Sequence, residues 1–465
     1  MRSRSARLVL LFGGLAPALP AGESNWPGFR GPNGAGVGDA VGLPVRFGPD
    51  ENLAWRTEVP FGRSSPILTE RAVVVTGADD EHLHVVALDR GTGARLWSRA
   101  LTRARREAVH PANDSATPTP ATDGRNVFVF FPELGLVAFD DEGRERWRVP
   151  LGPFVNHYGM SASPVLAGDT LIQLCDQQVG SFLLAVDAGT GEERWRADRS
   201  DTVESFTTPV LVPAEAPTRV VVSGSFRVTA YSIETGEEEW RRTGFAYSPM
   251  PSPSVVGGTL VVCSPHPPEF PMPEYDALLA RHDGDGSGAL VADEMEGSHL
   301  HFGWLDADKD GLLRREEYEF ARAGMRSEVY GLVALELRGD EPPVERWRVR
   351  RGLPLISSPL VHDGVVYLAK DGGVLTLLDA ADGGVLGRRR LPDAIGPCFP
   401  SPVAADGRIF VPCNAGTVAV LAAGGDGEVL ATNDLGEECL ASPAIGRDSL
   451  YVRTAAAVYR FRDGG

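Results

Sequence analysis

The sequence predicts an all-β chain, an eight-bladed β-propeller of four-stranded antiparallel blades, with a small α-helical insert. Three observations predict it. One motif recurs eight times, its segments are β-branched runs parted by glycine turns, and tryptophan returns at one place in the repeat.

Each unit opens with Ser/Thr-Pro, at Ser65-Pro66, Thr119-Pro120, Ser163-Pro164, Thr208-Pro209, Ser252-Pro253, Ser358-Pro359, Ser401-Pro402 and Ser442-Pro443. The prolines follow one another at intervals of 41 to 54 residues, except one interval of 106. That interval holds an ordinary repeat and a long addition. Runs such as Val73-Val74-Val75, Val220-Val221-Val222 and Val365-Val366-Tyr367 favour strands. Turn residues at 89–93, 187–191 and 234–236 precede the fourth strands, which carry Trp97, Trp147, Trp195, Trp240 and Trp347.

Trp55 begins no repeat, and the repeat opening at Ser442 stops near Asp463 before any fourth strand. The segment around Trp55 is therefore expected to supply that strand and close the ring. Radial packing in a closed ring buries the faces of each blade, and an indole can wedge between neighbours. Repeats six and seven carry Gly387 and Ala431 near the tryptophan place, so those interfaces must pack differently.

Before the ring, Arg2, Arg4 and Arg7 precede the apolar stretch Leu8 to Leu15 and small residues at Ala16, Ala18 and Ala21. Residues 1–21 read as a secretory signal peptide with no lipobox cysteine, and the destination is secreted or periplasmic. Residues 22–51 read as an N-terminal extension, 52–265 and 326–465 as propeller, and 266–325 as the insert. No later segment is long and apolar enough to span a membrane. The net charge of -18 argues against nucleic acid as a partner.

Half of that charge lies in residues 266–325, with 14 acidic against 5 basic side chains. Here two twelve-residue loops fit the EF-hand pattern for calcium, an ion that prefers six to eight hard oxygens. In the first, Asp283, Asp285, Ser287, the Ala289 carbonyl and Glu294 fall at donor positions. In the second, Asp306, Asp308, Asp310, the Leu312 carbonyl and Glu317 do so. Gly288 and Gly311 sit where the loop turns sharply, and Leu290 and Leu313 can pair between loops. Helices are expected over 274–281 and 316–323. The second loop offers four carboxylates to the first loop's three, and is expected to hold calcium more tightly. Rising from one connection, the insert is expected to couple weakly to the ring.

Five cysteines leave at least one unpaired within the chain. Cys398 can pair with Cys413, at the open end of one hairpin, or with Cys439, its equivalent in the next repeat. Cys175 and Cys263 read as small apolar fillers. No nucleophile elbow, His-Glu-x-x-His helix, Cys-x-x-Cys pair or phosphate loop is present. A further group stands just ahead of several openings: Arg63, His110, Asn113, His157, Tyr158 and Tyr247. Equivalent places in successive blades converge at the mouth of the central channel, where a protein or glycan ligand could bind.

The repeat, together with Asn25-Trp26-Pro27-Gly28-Phe29-Arg30-Gly31-Pro32, resembles the pyrroloquinoline-quinone-type (PQQ-like) propeller of exported bacterial proteins. That repeat is shared by quinoprotein dehydrogenases and BamB-like scaffold proteins, so the resemblance implies the fold more strongly than an activity. The dehydrogenases carry a vicinal Cys-Cys pair against the quinone and hold calcium in the channel with Glu, Asn and Asp. This sequence has no Cys-Cys pair, and its calcium-type ligands lie in the insert. The resulting expectation is an exported, monomeric, calcium-binding module that binds or scaffolds without catalysis and without the quinone. The alternatives are a quinone-dependent dehydrogenase and a polysaccharide-binding surface module.

Overall fold

The computed structural model describes residues 26–265, 272–296, 302–306, 310–325 and 328–464. The signal-peptide reading of 1–21 lies outside the described residues, as does Asp308. Strands assemble into eight four-stranded sheets, each an antiparallel meander, numbered here as blades 1 to 8 in chain order. Inner strands follow each Ser/Thr-Pro, from Ile67–Leu68 in blade 1 to Ala444–Ile445 in blade 8. The outer strand of blade 8 is Leu53–Glu58, which pairs antiparallel with Ala457–Phe461. Ring closure through Trp55 is thus as expected.

The repeated motif has two structural duties. The first is at the axis. In every blade the backbone N–H of the opening Ser or Thr donates to the opening hydroxyl of the next blade, at 2.8 to 3.1 Å. The circle closes where Ser442 N–H donates to the Ser65 hydroxyl at 3.1 Å. The proline that follows has no N–H of its own to leave unpaired at this crowded place. Each such bond contributes about 1 kcal/mol net.

The second duty is at the rim. Trp55, Trp97, Trp147, Trp195 and Trp347 each donate an indole N–H to a carbonyl of the following blade, at 2.8 to 3.1 Å. Each ring covers a turn glycine of that blade: Gly93, Gly143, Gly191, Gly236 and Gly383 in turn. These glycines have φ of 73° to 78°, and a Cβ on any of them would stand 2.5 to 2.8 Å from the indole. Backbone conformation and close approach both demand glycine there. Where the tryptophan is missing, other groups take over. The Tyr367 hydroxyl of blade 6 accepts from Gly424 N–H of blade 7 at 2.7 Å. At blades 7 and 8, Phe47 packs on Phe461 and Phe410, with ring centroids 4.8 and 6.5 Å away.

Phe47 belongs to a strap, residues 26–51, that runs beneath the ring. Its carbonyls at Trp26 and Pro27 accept from Leu68 and Thr122, Asn33 pairs twice with Leu211, and Gly36 and Gly38 bracket Ala404. Arg30 is fully buried, donating to Ser254 Oγ at 3.3 Å and Pro359 O at 2.8 Å. Burial pulls its guanidinium down to about 9. Phe29 of the strap reaches the central cavity between the blades.

Cys398 and Cys413 form a disulfide, which decides between the two pairings, and Cys439 is a buried thiol. Cys175 and Cys263 are buried among apolar side chains. Between two strands of blade 5 the chain leaves the ring for the insert, with helices Tyr275–His282, Phe302–Leu305 and Arg315–Met325. Among the described residues no helix is long and apolar enough to cross a membrane.

Candidate functional site

At the mouth lies a cavity of about 450 Å³ with Phe29 of the strap among its walls. All eight opening hydroxyl residues line it, and so does the residue two places before each opening. That upper tier divides the rim. Blades 1 to 3 contribute Arg63, Thr117 and Ser161, while blades 4 to 8 contribute Phe206, Met250, Ile356, Phe399 and Leu440. One arc is polar and the other apolar.

Of the residues expected here from sequence, Arg63, His110, Asn113 and Tyr158 line the cavity. Tyr158 is central to the polar arc. Its ring lies 4.9 Å from His110, 4.9 Å from His157 and 5.5 Å from Phe206, centroid to centroid. Asn113 Nδ2 donates to the carbonyls of Tyr158 and Gly159 at 2.8 and 3.1 Å, so it ties two mouth loops together. Arg63 donates to Pro111 O at 3.2 Å and stands 3.7 Å from Asp114. Burial pushes the Asp114 carboxyl up, and neighbouring Arg453, itself fully buried, is pulled down to about 10 by burial.

His157 and Tyr247 are not among the lining residues; His157 is exposed and Tyr247 half-buried. The His157 backbone N–H donates to Glu204 Oε2 at 2.7 Å. Burial raises the Tyr247 phenol, with Tyr158 and Glu204 adding to the effect. Sequence reasoning missed Phe206, Met250, Ile356 and Phe399. Each stands two residues before a Ser/Thr-Pro, and only Arg63 stood out at that place in the sequence. Burial pushes the Cys263 and Cys439 thiols up to about 12, so neither supplies a thiolate near neutral pH.

The insert brings a second group of donors together. Oxygens of Asp283, Asp285 and Glu294 all lie within 4.8 Å of one another. Backbone N–H groups hold them in place: Ser287 and Gly288 donate to Asp283 at 3.0 Å, and Gly284 and Val291 to Glu294 at 2.9 and 3.1 Å. Ser287 also donates its N–H to Asp285 at 2.8 Å, and its hydroxyl donates to Ala289 O at 2.8 Å. In the second loop, Asp306 accepts from Gly311 at 3.1 Å, Asp310 from Leu312 at 2.9 Å and Glu317 from Arg314 at 3.0 Å. The buried Asp306 Oδ1 has no hydrogen-bond partner among the described residues. Gly288 and Gly311 take φ of 81° and 86°. Leu290 and Leu313 exchange backbone hydrogen bonds at 3.0 and 2.8 Å, joining the loops side by side.

The insert also leans on blade 4. Phe320 meets Phe226 edge to face, centroids 5.1 Å apart. Glu317, Phe320 and Ala321 share a small cleft with Gln178, Val203 and Glu204 of the ring. Glu204 therefore touches both regions, since it also holds the His157 backbone behind the mouth.

The family described as outer membrane protein assembly factor BamB matches residues 48–182, 179–287 and 370–464. A comparison with curated proteins finds no match. Among solved structures, BamB from Moraxella catarrhalis is 14% identical, covering 88% of this chain and 99% of that one at a TM-score of 0.56. A europium-containing methanol dehydrogenase is 13% identical, covering 92% and 89%, with a TM-score of 0.58. Quinohemoprotein alcohol dehydrogenase from Comamonas testosteroni is 13% identical, covering 95% and 81%, with a TM-score of 0.55. At such identities the likeness is one of fold. The family match spans most of the repeats, and the chain belongs to the PQQ-like propeller family described as outer membrane protein assembly factor BamB.

Proposed function

We propose that this chain is an exported, calcium-binding propeller that acts as a non-catalytic binding or scaffold module. Its mouth takes a protein or glycan segment with one polar and one apolar side. The division of the cavity rim carries this reading: Arg63, Thr117 and Ser161 face Phe206, Met250, Ile356, Phe399 and Leu440 across it. A concavity with an apolar wall and a few convergent polar groups suits an oriented ligand. Export is supported by the basic and apolar opening of the sequence and by the Cys398–Cys413 disulfide, which persists in oxidising compartments.

Calcium fits the donor sets of the insert. The first loop would hold it through Asp283, Asp285, Ser287, the Ala289 carbonyl and Glu294, and the second through Asp306, Asp308, Asp310, the Leu312 carbonyl and Glu317. Converging carboxylates and the partnerless Asp306 Oδ1 are what a hard cation satisfies. In calorimetric titration with calcium, Glu317→Gln is expected to lower total affinity more than Glu294→Gln; equal losses would refute the ranking of the loops.

The mouth is tested with an anionic amphiphile, anilinonaphthalene sulfonate. Replacing Tyr158 and Phe399 together with Ala should weaken its binding by about tenfold or more, at nearly unchanged melting temperature. Unchanged affinity would remove the mouth as the site. Added pyrroloquinoline quinone should give neither an absorbance change nor dye-linked alcohol oxidation, and turnover would overturn the non-catalytic reading.

A further inference from the structure

The repeats provide an internal control for their own outer strands. Blades 2 to 5 carry Glu-x-Trp-Arg there, and in each the glutamate pairs with the arginine three residues on. The distances are 2.8 Å for Glu145 and Arg148, 2.9 Å for Glu193 and Arg196, 2.5 Å for Glu238 and Arg241, and 3.0 Å for Glu345 and Arg348. A bulge at the tryptophan brings the two side chains to the same side of the strand.

Blade 6 keeps the bulge and changes the chemistry. Its outer strand Val385–Arg390 has Val385 at the glutamate place, Gly387 at the tryptophan place and Arg388 at the arginine place. Val385 and Leu386 are 54% and 46% exposed, and Arg388, Arg389 and Arg390 are all exposed. None of the three arginines makes an ion pair among the described residues. They carry this uncompensated charge, among the described residues, in a chain whose net charge is -18. The strand is also a sheet edge, bonded on one side only, to Val374–Asp379.

We propose that this edge takes an extended acidic segment of a partner protein as a fifth strand of blade 6. An unpaired edge offers backbone N–H and C=O groups to an incoming strand, and natural edges are usually blunted by charge. Blades 2 to 5 blunt theirs with a neutral ion pair, whereas blade 6 presents an apolar half followed by a cationic half. Carboxylates on the added strand would meet three guanidiniums, and its apolar side chains would cover Val385 and Leu386. The site is independent of the mouth and of the insert.

The test uses the full chain and a fluorescein-labelled peptide of about eight residues alternating Glu and Val, a length that matches one strand. Fluorescence anisotropy should show saturable binding that weakens with added salt, and none for the Lys and Val counterpart. Val385→Glu installs the ion pair of blades 2 to 5 and should weaken binding by about tenfold or more. Replacing Arg388, Arg389 and Arg390 with Ala should do the same, and both variants should bind anilinonaphthalene sulfonate as before. No saturable binding by the unaltered chain would overturn the proposal, as would equal affinity across the variants. Capture of phosphatidylglycerol vesicles or of a second copy of the chain in place of the peptide would overturn it as well.

Discussion

Blade 4 and the insert that leans on it are held together by different means. Blade 4 buries both faces against its neighbours, and its inner end is locked into the hydroxyl circle through Thr208 and Ser252. Among the described residues the insert has one small core, built around Tyr275, Leu278, Leu290, Met295, Leu313 and Tyr318, and a first loop that crowds three carboxylates together. Repulsion among those carboxylates opposes the folded loop until a cation relieves it. The contrast teaches that the ring's stability is distributed over many blades, while the insert's, on the calcium-binding proposal, depends on a cation. The Phe320 contact and the shared cleft make the two less independent than a single connection suggests.

The largest effect should come from opening the ring. A chain beginning after Val59 loses the strap of residues 26–51 together with the closing strand and the Trp55 indole, a loss of at least about 3–5 kcal/mol by the standard of large-to-small core changes. Thermal unfolding should show a much lower transition or insoluble protein. Equal heat stability would mean that the ring depends on neither its closing strand nor the strap.

Next is removal of calcium. Chelation should release hydrogen-exchange protection in residues 272–325 while the blades keep theirs. Loss of protection in the blades, with the whole chain unfolding together, would erase the distinction between the two regions. The smallest effect should follow Phe320→Ala, which removes one aromatic pair worth about 1 kcal/mol beyond its buried area. Calcium affinity should drop slightly, by about threefold or less, and the ring should melt as before. An affinity loss as large as that of a ligand substitution would mean that docking governs the loops.

Most of the fold was legible because repetition multiplies weak signals: a lone Ser-Pro means little, but eight in register define a circle. The tryptophans were legible for the same reason, and the closing strand followed from one tryptophan too many. The strap was not, since residues 26–51 have no periodicity and their partners lie as much as 388 residues away in the chain. The hydroxyl circle was half visible. Ser and Thr were recognised as openings, yet nothing local says that each accepts the N–H of the blade before it. In the insert, the loops could be aligned residue by residue, whereas the docking of Phe320 on Phe226 pairs two side chains that no pattern relates.

The closing strand also sets the order in which this protein can finish folding. Leu53–Glu58 is made before any repeat, and Ala457–Phe461, its partner, after nearly all of them. Seven of the eight axial bonds join neighbours in the chain and can form as synthesis proceeds, but Ser442 to Ser65 spans 377 residues. Until that span closes, Trp55 has no partner strand and blade 1 has one uncovered face. Loop closure grows only logarithmically more unfavourable with length, so the penalty in stability is small and the penalty in time is larger. A newly made chain therefore spends its longest interval as an open arc with two unsatisfied ends, and this is when a passing strand could most easily be captured by mistake.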